Sequence, residues 1–249
     1  MVINSFKRVD DFLNNGCWTL PQALHTQNFQ DAITLTSGRV SFVGMYVNSI
    51  ILTVSAVCIS TATATMTAYA LARYNFRGRD FLVALGVGSL VIPNLGSTTV
   101  IYKMFVDMNA IDTWLILIQY TTPFGMQFLV LYSLFKTVAG TYIDAARIDG
   151  AGEWRIFLQI CVPMAKGALG ATMVILAINN WNDYYTPYMY LPSLKTLSIG
   201  LQELTMTVSQ LDRPKLFAGM VVAVMPLVII FIAMRDVIIE NTVAGGLKG

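Results

Sequence analysis

Two short groups of residues have the types and spacing that a function could use. Asp144-Ala145-Ala146 is followed, after three further residues, by Gly150, so a charge and small side chains precede a glycine turn. Asn179, Asn180 and Asp183 interrupt an otherwise apolar stretch. Polar side chains in such a stretch are costly in lipid, and they normally face a bundle interior or a water-filled path. The two groups therefore point to a contact element and to a polar site among apolar helices.

Residues for enzyme, metal or cofactor chemistry are sparse. Cys17, Cys58 and Cys161 lie far apart without a C-x-x-C pair, and His25 has no cysteine or acidic pair at metal-ligand spacing. The sequence has no G-x-x-x-x-G-K-[ST] segment that would hold ATP phosphates. We therefore expect no catalytic residue, no metal site and no cofactor in this chain, and we do not expect it to be an enzyme.

The composition is that of a membrane protein. Of the 249 residues, 55% are hydrophobic and 12% are charged, and the mean hydropathy is +0.62. An average soluble domain has about 25% charged residues, which it needs to stay in solution. The net charge is only +2 and the charges form no basic run. Nucleic acid is therefore excluded as an expected partner, because binding to phosphates requires clustered positive charge.

The intervals between charged residues predict five membrane-spanning helices, because a bilayer core about 30 Å thick requires about 20 apolar residues. These intervals are Val40–Ala72, Phe81–Tyr102, Thr113–Phe135, Gly167–Tyr188 and Leu216–Met234. The fourth contains the asparagines and the aspartate named above. Pro93, Pro123 and Pro226 lie inside the second, third and fifth, where a proline can bend a helix.

The positions of Lys and Arg predict the orientation of these helices. Basic residues are concentrated in the short loop Arg73–Asp80 and in the loop Lys136–Lys166. Because such residues collect on the cytoplasmic side, both loops and the tail Arg235–Gly249 are expected inside the cell. The segment Met1–Ser41 is then expected outside.

The second of these loops is patterned as a helix, a glycine turn and another helix. Ile143, Ala146 and Ile148 fit one side of a short helix, and Gly150 and Gly152 permit a sharp reversal. The second helix is expected to be interrupted by Pro163. Such an element can lie across the membrane surface and dock into a groove of a soluble partner, or it can be an ordinary amphipathic connector.

The same loop resembles the EAA loop of permease subunits of bacterial ABC importers. Asp144-Ala145-Ala146, Gly150, Ile160 and Val162-Pro163 match the family pattern Glu-Ala-Ala, three residues, Gly, nine residues, Ile-x-Leu-Pro. Asp144 replaces glutamate and Val162 replaces leucine, and both changes keep the chemical character. We call the segment Lys136–Lys166 the EAA-like loop.

Further landmarks are similar to the carbohydrate-importer branch of that family, over about residue 40 to the end of the chain. They are Asn48-Ser49, Ala70-Leu71-Ala72-Arg73-Tyr74, Trp181-Asn182-Asp183 and Ala244-Gly245-Gly246-Leu247-Lys248-Gly249. One departure is Gly167, where the family usually has proline.

The resemblance implies an all-α membrane protein in the bacterial cytoplasmic (inner) membrane, with residues 1–249 forming one multi-pass permease domain. The usual family member has six spans and this chain has five predicted ones. Either the recorded start lies downstream of a first helix, which we favour, or the chain is a five-span variant.

The resemblance also implies partners and roles. The expected partners are a second permease subunit, a cytoplasmic ATPase dimer, an external solute-binding protein and membrane lipid, with ATP and Mg²⁺ bound by the ATPase. The EAA-like loop would be the coupling helix that fits a cleft of the ATPase. Its contact residues would be Asp144, Ala145, Ala146 and Gly150, flanked by Arg147 and Ala151. The cargo implied is a sugar or oligosaccharide.

Asn179, Asn180 and Asp183 are predicted to line the translocation path or its external gate. The alternative is that they bond to neighbouring helices or mark the end of a helix. Nearby tyrosines fit an interfacial aromatic belt or stacking on a sugar ring, namely Tyr184, Tyr185, Tyr188 and Tyr190.

Two rival functions remain at this point. An importer for another solute, such as a polyol or glycerol phosphate, would have the same loop. An ion-coupled secondary transporter also has kinked helices and polar midspan groups, but it would not need an element that docks onto an ATPase.

Overall fold

The computed structural model describes residues 1–34, 36–37, 40–91, 97–137, 140–207 and 213–246. Within these ranges most of the chain is helical. The strands described are β1 (Thr36–Ser37) and β2 (Val40–Ser41), which pair antiparallel with Thr36 opposite Ser41. The α-helices are α1 (Val2–Ser5), α2 (Val9–Asn15), α3 (Gln27–Ile33), α4 (Phe42–Arg73), α5 (Arg79–Val91), α6 (Ser97–Asp107), α7 (Met126–Thr137), α8 (Gly140–Ile148), α9 (Glu153–Ile156), α10 (Val162–Met164), α11 (Lys166–Asn182), α12 (Tyr185–Tyr190), α13 (Leu197–Thr207) and α14 (Arg213–Gly246).

Two described helices are long and apolar enough to cross a membrane. They are α4, with 32 residues, and the part Arg213–Ala233 of α14. A third span is present if Glu153–Met164 and Lys166–Asn182, which are bent by 76°, are counted together. The first and fifth predicted spans are thus confirmed as continuous helices, and Pro226 lies inside α14 as predicted. The count of five spans is not confirmed and stays a prediction.

The third predicted span is wrong as a single helix. Trp114–Tyr120 forms a 3₁₀ helix, and α7 begins only at Met126. Pro123 lies in the break between them rather than inside a helix. A proline disfavours helical conformation in the residue before it, and Gly125 has φ +144°, which a helix does not allow.

Described residues of the second predicted span lie in α5 and α6, and residues 92–96, among them Pro93, lie outside the described residues. The fourth predicted span is divided, because α11 ends at Asn182 and the shorter α12 follows. The helical run therefore stops six residues before the predicted end at Tyr188.

The residues form two compact units. The first comprises residues 1–54, 101–116 and 178–232, and the second comprises 55–100, 117–177 and 233–249. The first unit has a core of Phe42, Met45, Trp181, Leu197 and Ala223. Trp181 also donates its indole N–H to the carbonyl of Ala223 at 3.1 Å. The single permease domain expected from the sequence stays a prediction.

The core of the second unit holds the EAA-like loop in place. The helices that surround it contribute buried apolar residues, and the loop itself contributes Ile143, Ile156, Phe157, Cys161 and Ala165. The residues from the surrounding helices are Ala68, Tyr69, Leu71, Phe128, Leu131, Phe135 and Leu169. Burial of these side chains, not local propensity alone, positions the short helices of the loop.

Candidate functional site

Helix α8 of the EAA-like loop has one buried face and one exposed face. Ile143 is 4% exposed and the half-buried Ala146 packs against the same core. Asp144, Ala145 and Arg147 are exposed. The predicted contact residues of α8 therefore have two environments. Ala146 packs against the core, whereas its neighbours Asp144, Ala145 and Arg147 are exposed and available to a partner.

The position expected for Ile148 is wrong. It was expected on the same side as Ile143, but it is 87% exposed. Five residues of α-helix rotate the side chain by about 140° relative to Ile143, so the two cannot share a face. Ile148 is an exposed apolar residue beside the exposed face of α8.

Of the two glycines predicted to permit the reversal, Gly150 makes it, whereas Gly152 has an extended backbone that any residue adopts. The φ of Gly150 is +76°, in the left-handed region that favours glycine. The N–H of Gly150 donates to the carbonyl of Arg147 at 3.0 Å, and the N–H of Ala151 donates to that of Ala146 at 2.9 Å. These two bonds form a Schellman motif, which satisfies carbonyls left open at the end of α8. Ala151 is half-buried and packs against the core, as Ala146 does.

A charged residue that the sequence analysis did not single out joins both sides of this turn. Glu153 Oε1 accepts a hydrogen bond from Arg147 Nε at 2.8 Å, and Glu153 Oε2 accepts one from Tyr74 Oη at 2.8 Å. Arg147 Nη1 also lies 3.6 Å from Asp144 Oδ1. The carboxylate of Glu153 raises the pKa of the Arg147 guanidinium. In the sequence, the signal for this contact is the pair of opposite charges, Arg147 and Glu153, which lie six residues apart with Gly150 between them.

The second half of the loop is helical through Pro163, so the predicted interruption there is wrong. After α9 the backbone widens into a π-helical segment, Phe157–Cys161, and α10 continues to Met164. Proline cannot donate to the carbonyl four residues earlier, and π-helical turns often occur where the regular ladder fails. The sharp change of direction comes at Ala165, between α10 and α11.

The polar group at the end of α11 is partly committed to local hydrogen bonds. Asp183 Oδ1 accepts from the N–H of Thr186 at 3.1 Å, at the start of α12. The Asp183 carbonyl accepts from Ser198 Oγ at 2.8 Å. Asn179 is exposed and Asn180 is half-buried. Because α11 ends at Asn182, Asp183 has the geometry of the helix-end alternative, and the path-lining role of the group stays a prediction.

The four nearby tyrosines do not share one environment. Tyr184, Tyr185 and Tyr188 are exposed, as an aromatic belt or a stacking surface requires. Tyr190 is 2% exposed and packs against Phe105, with ring centroids 5.3 Å apart. Tyr190 is therefore a core residue of its unit.

Comparisons with known proteins identify the family of the chain. The family model described as "Binding-protein-dependent transport system inner membrane component" matches residues 35–242. The arabinooligosaccharides transport system permease protein AraQ of Halalkalibacterium halodurans is 30% identical over 255 residues, covering 100% of this chain and 89% of that protein. The melibiose/raffinose/stachyose import permease protein MelC of Bacillus subtilis is 28% identical over 253 residues, covering 100% of this chain and 90% of that protein.

A solved structure has the same fold. The crystal structure of a bacterial ABC transporter involved in the import of the acidic polysaccharide alginate contains a chain that matches with a TM-score of 0.80 and 19% identity. The match covers 94% of this chain and 87% of that chain. With the family model covering most of the sequence, the chain belongs to the family of binding-protein-dependent transport system inner membrane components.

Proposed function

We propose that this chain is the transmembrane permease subunit of an ATP-driven importer for a sugar or oligosaccharide. It forms half of the translocation path and couples to a cytoplasmic ATPase. The observation that carries this function is the EAA-like loop, in which a core-anchored helix presents an exposed face next to a glycine turn. The two relatives named above transport arabino-oligosaccharides and melibiose, raffinose and stachyose, which supports an oligosaccharide as the cargo.

The partners follow from the same family membership. The complex contains a second permease subunit, two ATPase subunits that bind ATP and Mg²⁺, and an external solute-binding protein. The subunit lies in the bacterial cytoplasmic membrane and crosses it several times. α4 and the first part of α14 are helices of the length and hydropathy that this location requires.

The exposed face of α8 is the docking surface for the ATPase. Asp144 and Arg147 supply charges, and Ala145 allows close approach because its side chain is small. The exposed Ile148 adds an apolar contact to the predicted set. Ala146 and Ala151 support this face by packing against the core. Gly150 supports it by making the turn that ends α8.

The second proposed site is the polar group Asn179, Asn180 and Asp183, which lines the translocation path or its external gate. Its exposed asparagine is available to a solute, whereas Asp183 also caps α12. Other cargoes, such as a polyol or glycerol phosphate, and an ion-coupled mechanism remain the rival functions.

Replacing Ala145 by tryptophan tests the docking surface. Ala145 is exposed, so Ala145→Trp leaves the packing of the subunit intact but places a bulky ring where the ATPase must approach. The tagged subunit is purified with its operon neighbours, and solute-stimulated ATPase activity is measured with the binding protein. We expect the wild type to retain the ATPase and the variant to lose most of it.

Ala23→Trp is the matched control, because Ala23 is also exposed but lies in the N-terminal segment. It should retain the ATPase as the wild type does. Failure of the wild type to retain any ATPase, together with uptake that follows an ion gradient, would contradict the importer function.

A further inference from the structure

The carboxylate of Glu153 connects the EAA-like loop to the end of a long apolar helix. Arg147, which donates to Oε1 at 2.8 Å, belongs to α8. Tyr74, which donates to Oε2 at 2.8 Å, follows directly after the last residue of α4. Glu153 itself begins α9. One side chain therefore bridges α8, α9 and the end of a 32-residue helix of membrane-spanning length.

Apolar packing holds the EAA-like loop and α4 in one core, but it gives their junction no directional contact. Tyr69 and Phe157 pack there with ring centroids 4.9 Å apart, and such apolar contacts are not directional. A cavity of about 310 Å³ lies beside the carboxylate. It is lined by Met66, Tyr69, Ala70, Tyr74, Glu153, Trp154 and Phe157. On this side of the junction the two hydrogen bonds of Glu153 supply the directional contacts between the loop and the end of α4.

The bridge is exposed enough that folding does not depend on it. The side chains of Arg147 and Glu153 are 45% and 44% exposed. Ion pairs at such exposure add little to folding stability, because water and salt screen them. The Glu153 carboxylate accepts one hydrogen bond from α8 and one from the end of α4. A role in positioning these elements accounts for the two bonds better than a contribution to folding stability does.

We propose that the Arg147–Glu153–Tyr74 bridge transmits displacement of α8 to α4, which makes Glu153 a positioning residue for coupling ATP hydrolysis to transport. This proposal rests on the proposed function, in which α8 docks onto the ATPase. A push on α8 moves the guanidinium, the carboxylate follows because both its oxygens are held, and the tyrosine hydroxyl pulls on the end of α4. Loss of either bond weakens this transmission but leaves the shared apolar core in place, so that less solute is moved for each ATP hydrolysed.

The test uses the assembled importer in proteoliposomes, with its binding protein and with the sugar that stimulates its ATPase activity. Glu153→Gln removes the charge of the bridge, and Tyr74→Phe removes a single oxygen atom from its far end. The measured quantity is the amount of sugar transported per ATP hydrolysed. Replacing a residue that carries coupling between two sites changes their coupling constant by about 2- to 30-fold. We expect both variants to lower this ratio within that range while assembly and basal ATPase activity stay at wild-type levels.

Tyr132→Phe is the matched control. Tyr132 belongs to α7 of the same unit and stacks on Phe128, so this variant removes the same atom away from the bridge. Its transport-to-ATP ratio should equal that of the wild type. The double variant Glu153→Gln/Tyr74→Phe should be no worse than the worse single variant, because both act through one bridge.

The outcomes separate the two proposals. A wild-type ratio in Tyr74→Phe and Glu153→Gln would overturn the bridge and leave the importer function standing. Loss of assembly or of protein in both variants would also overturn it, since the bridge would then be structural. A wild-type complex without sugar-stimulated ATPase activity would overturn both the proposed function and the bridge.

Discussion

Gly150 and Gly152 lie two residues apart in the EAA-like loop, and their backbone conformations differ. Gly150 has φ +76°, whereas Gly152 has φ −71° and ψ 157°, which any residue adopts. A Cβ at either position would meet nothing within 4 Å. We expect Gly150→Ala to destabilise the loop locally by about 1–2 kcal/mol, the cost of a left-handed conformation. Faster hydrogen exchange at the Ala151 amide, which closes the turn, measures this effect.

Gly152→Ala is the control for this prediction, because it adds the same methyl group without a change in backbone strain. We expect it to alter loop stability by no more than about 0.5 kcal/mol. Equal exchange rates in the two variants would show that the positive φ of Gly150 does not constrain the turn.

At the same scale, the sequence was informative where one residue type implies one conformation. Gly150 was predicted because few other residues permit such a reversal. The apolar pattern places Ile148 on the wrong face of α8. Ala146 and Ile148 follow Ile143 by three and five residues, which are rotations of about 300° and about 500°, and an approximate pattern does not distinguish the two on a short helix. Glu153 was missed because its partner Tyr74 lies 79 residues away in the sequence, and only the folded chain brings the two together.

At the scale of elements, the intervals between charged residues predict α4 and α14, but they do not predict the breaks inside the third and fourth spans. Hydropathy counts how many apolar residues are available, and it contains no information on backbone hydrogen bonds. The break before α7 depends on Pro123 and on the positive φ of Gly125, and after α11 the Asp183 side chain accepts from the N–H of Thr186 in the first turn of α12. Such breaks are tolerated where neighbouring groups satisfy the backbone, as when Ser60 Oγ donates to the carbonyl of Tyr120 at 2.7 Å.

Gln127, in the first turn of α7, joins three helices by polar contacts. Its Nε2 donates to Thr61 Oγ1 of α4 and to Thr172 Oγ1 of α11, at 3.1 Å each. We expect Gln127→Met to lower the stability of the subunit by about 1 kcal/mol, the usual size of hydrogen bonds between membrane helices. Thermal inactivation of the detergent-purified complex measures this change.

Gln159→Met is the corresponding control, because Gln159 is exposed and accepts its hydrogen bond from Arg155 one turn earlier in the same helical run. It should inactivate at the wild-type temperature. If Gln127→Met also inactivates at that temperature, the three-helix contact contributes nothing to stability.

At the scale of the whole molecule, orientation in the membrane is the prediction that joins the loop to its partner. The positive-inside rule places Lys136–Lys166 in the cytoplasm and Met1–Ser41 outside. Docking onto an ATPase requires the first placement, and contact with an external binding protein is compatible with the second. The native cysteines allow a direct measurement, because Cys17 and Cys58 are exposed and Cys161 is buried.

In a Cys58→Ala background, Cys17 should react with a membrane-impermeant maleimide added to intact spheroplasts, because it lies in the segment predicted to be outside. Adding Cys17→Ser and Ile148→Cys moves the exposed thiol to the EAA-like loop, where the native side chain is 87% exposed. In the permease expressed without its ATPase, which would otherwise cover this face of α8, that thiol should react only after the membrane is permeabilised. The Cys17→Ser/Cys58→Ala protein is the control and should remain unlabelled in both preparations, because Cys161 is buried. Labelling at position 148 in intact spheroplasts would place the loop outside, where no ATPase can reach it, and would remove the physical basis for coupling through α8.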